Sequence, residues 1–381
     1  MDSNKLKDNW REKIKNLEEF RASKRLSVYR WENHDDKVRS YEDSDDIEED
    51  HNNLSDESDI DAGPNIPDLS DRDLPKRIIC FSSQKLLKLF SKCPKSSVDG
   101  TFKSSSVLWS QQFIWMIKEK HSWIPAIWGW LPDKTEQTYK VFFLLVQEKL
   151  AELNLSFQLK SVISDFELNV MKAIDDILDV EILGCFFHLT KAFKNKVDKK
   201  GFKTRYETDK TFNNFIKQCG ALAHLPLEDL SDGIKNVEEK FAFEDDKGEE
   251  FKLYFIQYIK DFWVNGCYPP QVWNCFQRSN DMTNNNQEGY NSKMNNSLEH
   301  KHPSPGIFLC HIVQGIKLAE GEIAKVRVGI NKPKQQPKYK SLAERRLMIK
   351  QSYICDKSRG QEDIGAFLSD IGHNVMASTY M

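Results

Sequence analysis

Apolar positions along the chain change their period several times, and each change marks an element. From about residue 76, Ile78-Ile79-Cys80-Phe81 is an apolar run of strand length, and Leu86 to Phe90 reads as a short helix. Ser97 to Phe102, Leu108 to Lys118 and Trp123 to Leu131 follow as three strands, the first ending in an Asp99-Gly100 turn. Asp133-Lys134-Thr135-Glu136 has the form of a capping box. After it, Tyr139, Phe142, Phe143, Val146 and Leu150 recur on one helical face. Leu159 to Ser164 reads as a buried strand, and the next helix turns Leu168, Met171, Ile174 and Leu178 inward. Glu181 to Phe186 is the last strand, passing into a helix over His188 to Val197.

Strands in succession followed by strand–helix alternation predict an α/β fold, a ribonuclease H-like mixed sheet flanked by helices. From about 202 to 275 the pattern is helical only, with Phe251, Phe255, Tyr258 and Phe262 on one face. This block is expected as an all-helical insertion before the last catalytic helix. That later helix carries Asn284, Glu288, Asn291 and Asn295 as a polar stripe and Tyr290, Met294 and Leu298 as an apolar one. Gly289 and the asparagines are poor helix formers, so packing must hold the helix. A polar face kept under that handicap is expected to line a site.

Charge divides the chain further. Residues 35–73 hold sixteen acidic residues against Lys37, Arg39 and Arg72, a local charge of −13, which leaves +10 on the remainder of a chain whose total is −3. So acidic a stretch buries too little apolar surface to offset its ordering entropy. The expected organisation is therefore a short amphipathic helix over 1–30 (Trp10, Ile14, Leu17), an acidic disordered linker over 31–75, a catalytic domain over 76–300, and a helical, basic region over 301–381. The positive balance of the body is compatible with a polyanionic partner and equally with a solvated surface. No run approaches the roughly 20 apolar residues of a membrane helix, so no membrane partner is expected. Eight cysteines without framework spacing read as reduced intracellular thiols.

Three acids stand out for chemistry. Asp99 ends one strand, Asp165 ends another in Val162-Ile163-Ser164-Asp165, and Glu288 lies on the polar helix. Taken singly, Asp99-Gly100 is a hairpin turn, Asp165 an N-cap and Glu288 a surface residue. Their order in a mixed α/β pattern favours a joint role. Two strand-end carboxylates and a third from a helix can hold a pair of Mg²⁺ (or Mn²⁺) ions about 3.5–4 Å apart for in-line attack on a phosphodiester. Asp99 is then expected to bridge the ions. Cys185-Phe186-Phe187-His188 is half of a zinc site in spacing, but no second pair completes it; zinc is not expected, and Cys185 and His188 are read as shaping the site. Asn284 and Asn291, with the basic Lys332, Lys334, Arg345 and Arg346, are the candidate nucleic-acid contacts; the basic segment also reads as a solvated tail or a nuclear-import signal.

Asp99-Gly100-Thr101-Phe102, Leu131-Pro132-Asp133-Lys134-Thr135, Ser164-Asp165-Phe166-Glu167, Cys185-Phe186-Phe187-His188 and Thr283-Asn284-Asn285 with Glu288-Gly289 together resemble the Mutator-like element (MULE) transposases. The likeness spans roughly 78–298. It implies a ribonuclease H-like fold with a helical insertion, an Asp-Asp-Glu triad on Asp99, Asp165 and Glu288, and the family's Cys-x-x-His motif on Cys185 and His188. It also implies Mg²⁺-dependent DNA excision and insertion, DNA as partner, a homo-oligomer on DNA ends and a nuclear setting. Related proteins often carry an N-terminal zinc-binding recognition domain, where a helix and an acidic run are expected here; the departure is compatible with a truncated element copy, a domesticated gene, or a catalytic part that works with a separate DNA-recognition protein. The rival expectation is a domesticated transposase-derived DNA- or chromatin-binding protein without catalytic activity.

Overall fold

Alternation and apolar runs between residues 78 and 184 become one mixed sheet. The computed structural model describes residues 32–33, 77–102, 105–106, 108–278, 282–283, 285–298, 302–330, 337–355 and 360–375. Within them the strands are β1 (Glu32–Asn33), β2 (Ile79–Ser82), β3 (Lys95–Thr101), β4 (Gln111–Glu119), β5 (Ser122–Leu131), β6 (Ser161–Ser164) and β7 (Glu181–Gly184), in spatial order β1-β2-β5-β4-β3-β6-β7. β2, β5, β4 and β3 pair antiparallel, whereas β6 and β7 continue the sheet in parallel. β1 is a two-residue strip parallel to β2. The rest of the stretches expected as an amphipathic helix (1–30) and an acidic linker (31–75) lies outside the described residues.

Two local expectations are corrected. Asp99-Gly100 is not a turn: Asp99 pairs with Ile114 and Gly100 with Phe113, and β3 continues through Thr101. The ladder to β4 and burial of Val98 outweigh the local turn preference of Asp-Gly. The helix after β5 is capped by Thr135, whose hydroxyl accepts from the Thr138 amide, and not by Asp133. Asp133 supports the cap from outside, its Oδ1 accepting from the Thr135 amide at 3.0 Å and the Thr135 hydroxyl at 2.8 Å. Pro125 is tolerated inside β5 because the register slips between Trp115 and Met116, where a missing N–H removes no regular ladder bond.

Helices cover both faces. α1 (Gln84–Phe90), α2 (Glu136–Glu152) and α3 (Leu168–Leu178) interleave with the strands. β5 shows how its alternation sorts them. Gly129 faces α2, where a Cβ would sit 2.6 Å from the Phe142 ring. Its neighbour Trp130 points the other way and stacks on Phe308 at 5.1 Å. α2 also sends Phe142 and Phe143 edge-on against Phe113 and Trp115.

A second core is all helical. It contains α4 (Phe186–Lys199), α5 (Lys203–Thr208), α6 (Lys210–Ala221), α7 (Leu230–Lys240), α8 (Asp246–Tyr258) running into a π-helical turn at Ile259–Val264, and α9 (Pro270–Trp273). Phe251 and Phe255 are buried there and Tyr258 half-buried, while Phe262 is 41% exposed, so the expected apolar face narrows at its end. α10 (Asn285–Ser297) and α11 (Pro305–Arg327) return to the sheet, and α12 (Pro337–Cys355) and α13 (Gln361–Val375) follow. The stretch 301–381 thus serves two cores: α11 packs on β5, and α13 on α6 and α7. Lys350, counted in the basic segment, is buried and donates to the carbonyls of Cys275 (2.6 Å) and Phe276 (2.8 Å). Among the described residues no helix is long and apolar enough to cross a membrane.

Gly129→Ala is expected to destabilise the fold by about 1–3 kcal/mol through overpacking against Phe142. Chemical denaturation measures this; an unchanged midpoint and slope would show that α2 is not seated on β5 as described.

Candidate active site

β3 and β6 run side by side and parallel, with Ser97 opposite Ile163. Asp99 and Asp165 each lie two residues further on. Asp165 lies one residue past the end of β6, so the ladder itself stops short of the two acids, but the charge of Asp165 acts on Asp99 and so marks them as neighbours. Neither is a capping residue, since the first turn of α3 follows Glu167.

α10 closes over this face through polar bonds. Gln287 is fully buried; it accepts from the Ser97 hydroxyl and donates to the Ile114 carbonyl at 2.6 Å. Asn291 Nδ2 donates to Asp99 Oδ2 at 2.8 Å, and the Thr101 hydroxyl donates to Asn295 Oδ1 at 3.2 Å. Tyr290 accepts from Trp128 Nε1 at 3.1 Å, and Met294 enters the sheet core. These bonds account for a helix of weak intrinsic propensity. They also place Glu288 on a cleft of about 680 Å³ lined by Asp99, Thr101, Phe102, Glu288, Asn291 and Asn295.

Electrostatics mark the aspartates as costly neighbours. Burial pushes the Asp99 carboxyl up to about 8, helped by the charges of Asp165 and Glu288 and opposed by the Gly100 amide and Asn291. Burial also raises Asp165, against the Glu167 amide and the charge of Lys134. Glu167, two residues on, is raised by burial and partly relieved by Tyr139, whose hydroxyl donates to it at 2.6 Å. Lys134 sits 3.6 Å from the centre of the Phe102 ring, at the cleft wall.

Glu288 reaches His188, Oε1 to Nε2 at 3.2 Å. Burial holds the His188 ring below its ordinary value, Glu288 raises it and Lys191 lowers it. A neutral ring bonded through Nε2–H leaves Nδ1 as an acceptor, and that atom is buried without a partner among the described residues. Cys185 is fully buried at the start of α4; its amide donates to the Ser164 carbonyl at 2.9 Å, just beneath Asp165.

The structure therefore brings Asp99, Asp165, Glu288, His188 and Cys185 into one neighbourhood. Asn291, expected as a nucleic-acid contact, lines the cleft but is buried and donates to Asp99. Arg345 is exposed and Arg346 half-buried on α12, and neither lines the cleft. Asn284, Lys332 and Lys334 lie outside the described residues. Lys134, Glu167 and Gln287 were not singled out. Glu167 was marked only by its place two residues after Asp165, and nothing in the sequence separates a buried Gln287 from a surface amide.

Buried oxygen donors of like sign suit a hard divalent cation such as Mg²⁺, which takes one or two carboxylates and completes its shell with water and substrate phosphate. Among the described residues no three His, Cys, Asp or Glu side chains already form a metal cage. The acidic pair fits that sparser mode. Neither a protein-family model nor a curated protein matches the chain.

The raised Asp99 has a consequence for stability. The folded chain holds a proton that the unfolded chain releases near 3.8, so this contribution is complete below about pH 4 and is lost as pH rises towards 8. Asp165 and Glu167 shift in the same direction and add to the slope. In metal-free buffer the thermal midpoint is expected to fall between about pH 5 and about pH 8, and added Mg²⁺ to recover it at the upper end. Asp99→Asn should flatten the pH slope and abolish the Mg²⁺ gain. A wild-type midpoint indifferent to both variables would contradict this electrostatic picture.

Proposed function

We propose that this chain cuts and joins DNA strands as a metal-dependent transposase built on a ribonuclease H-like fold. The observation that carries the reading is the buried Asp99, on which the charges of Asp165 and Glu288 both act, with Glu288 lining the same cleft as Asp99. The ordered likeness to MULE transposases points the same way.

In this reading Asp99 and Asp165 hold Mg²⁺ or Mn²⁺, and Glu288 joins them on leaving His188. The bound cation supplies Lewis acidity for the phosphoryl oxygen and a deprotonated nucleophile at neutral pH. The protein's own part is positional. Asn291 fixes the rotamer of Asp99 from α10, and Gln287 fixes α10 on the sheet. Tyr139, itself held by Gln111 at 2.8 Å, orients Glu167 next to Asp165. Lys134 sets a positive charge at the cleft wall where a phosphodiester would lie. Water as nucleophile gives strand cleavage, and a DNA 3′-hydroxyl gives strand joining. Self-association on paired ends, a separate recognition protein and a nuclear setting belong to this proposal through the family resemblance.

One observation favours a second reading. Glu288 is bonded to His188, so the third carboxylate is not yet gathered with the other two. A transposase-derived DNA- or chromatin-binding protein without catalysis would retain such a cleft. Nicking and strand transfer on DNA with Mg²⁺ distinguish them. Asp99→Asn is expected to remove several kcal/mol of charge stabilisation, on the order of 10³-fold in rate, while leaving DNA binding intact. Wild type and variant binding DNA alike, with no metal-dependent cleavage by either, would establish the second reading.

A further inference from the structure

The helix that carries His188 into the cleft also carries a concentration of positive charge. Residues 191–205 hold six lysines and Arg205 against the single acid Asp198. Arg205 is engaged by Asp209 (3.1 Å) and Asp245 (2.8 Å). Lys140, Lys252 and Lys260 on other helices likewise have carboxylate partners. Lys191, Lys199 and Lys203 are exposed, and among the described residues none of them makes an ion pair.

Helical spacing gives this charge a direction. Phe186, Leu189, Phe193 and Val197 bury one side of α4 in the helical core. His188, Lys191, Asn195 and Lys199 recur at three, four and four residues on the opposite side. Lys196 and Lys200 lie off that line, towards the helical core, over the rings of Tyr258 (4.3 Å) and Tyr254 (4.1 Å). Lys203 follows at the start of α5, just beyond the C-terminal end of α4. From His188 to Lys199 the helix rises about 16 Å, close to five base steps at about 3.4 Å each along one strand of a duplex.

We infer that the outer face of α4 is a track for the phosphate backbone of duplex DNA entering or leaving the cleft, with Lys191, Lys199 and Lys203 as its contacts. This rests on the proposed function. Asp198 lies two turns after Lys191 on the same side, but it is the one acid against six lysines and Arg205, and the repulsion left by that excess is relieved by a polyanion. A lipid surface fits less well, because the apolar side of α4 is already buried and has nothing to insert. Continuity with the cleft comes from His188 itself, which holds Glu288 one turn before Lys191. On α12, Lys350 is spent on backbone carbonyls and Arg346 is half-buried, so neither is free for such a role.

The test uses the full chain, with binding to a fluorescent random-sequence duplex followed by anisotropy from about 50 to about 200 mM salt. Lys191→Gln, Lys199→Gln and Lys203→Gln are combined, and thermal melting checks the fold. A matched control combines Lys85→Gln, Lys88→Gln and Lys92→Gln, at and just beyond α1, towards the opposite end of the sheet. The track triple is expected to weaken binding about tenfold or more and to make the logarithmic salt slope shallower by about 2–3. The control should move neither. An unchanged slope and affinity in a folded track triple, with wild type binding normally, overturns the track and leaves the proposed function standing. An equal loss in both triples also overturns it, as non-specific surface charge. Absence of duplex binding by wild type overturns both proposals.

Discussion

Two like-charged carboxylates held as neighbours in a buried place constrain everything around them. Asp99 and Asp165 arrive there because β3 and β6 are adjacent and parallel, each acid lying two residues beyond the paired Ser97 and Ile163. Burying a charge beside another of the same sign is unfavourable unless a proton or a cation intervenes. The chain meets that demand only in part, with the Gly100 and Glu167 amides, Asn291 and Lys134. In the proposed reading a divalent cation completes that compensation. The packed aromatic core beneath (Phe113, Trp115, Phe142, Phe143) supplies the rigidity that keeps the pair from separating.

α10 is where the two halves of the story meet. Its sequence is poor in helix formers, yet Gln287, Asn291 and Asn295 each bond to a group on β3 or β4. Asn291 and Asn295 fasten the helix and also line the cleft, so fold stability and site geometry share those contacts. Glu288 is the exception, turned towards His188 on α4. α4 in turn is rooted in the helical core, which couples the position of the third carboxylate to a part of the molecule with no acid in the site. Arg278 strengthens that link by donating to the carbonyls of Gly184 (2.8 Å) and Val272 (2.6 Å), tying the end of β7 to α9.

Much of the scaffold was legible in the sequence because it depends on period alone. The strands over Ile78 to Phe81 and Trp123 to Leu131, the helix facing inward through Met171 and Ile174, and the helical block after residue 202 follow from apolar spacing. What failed depends on partners. Asp99-Gly100 carries a turn signature that β4 overrides by pairing with it. Asp133 and Thr135 both cap well, and only the path of the chain selects Thr135. Asn291 was placed on the correct face, but helical spacing cannot show that the face is closed by Asp99. Lys350 reads as surface charge until the carbonyls of Cys275, Phe276 and Arg278, in one loop after α9, are seen to take its ammonium. The site was legible as a set of acids; their separations and their competing partners were not.

The most direct measurement is a crystal structure of the full chain grown with Mn²⁺, in which anomalous scattering locates the metal without assumption. The account requires a peak bonded to carboxylate oxygens of both Asp99 and Asp165, absent from Asp99→Asn crystals grown alongside. A peak elsewhere, or unliganded aspartates pointing apart at saturating Mn²⁺, would contradict it.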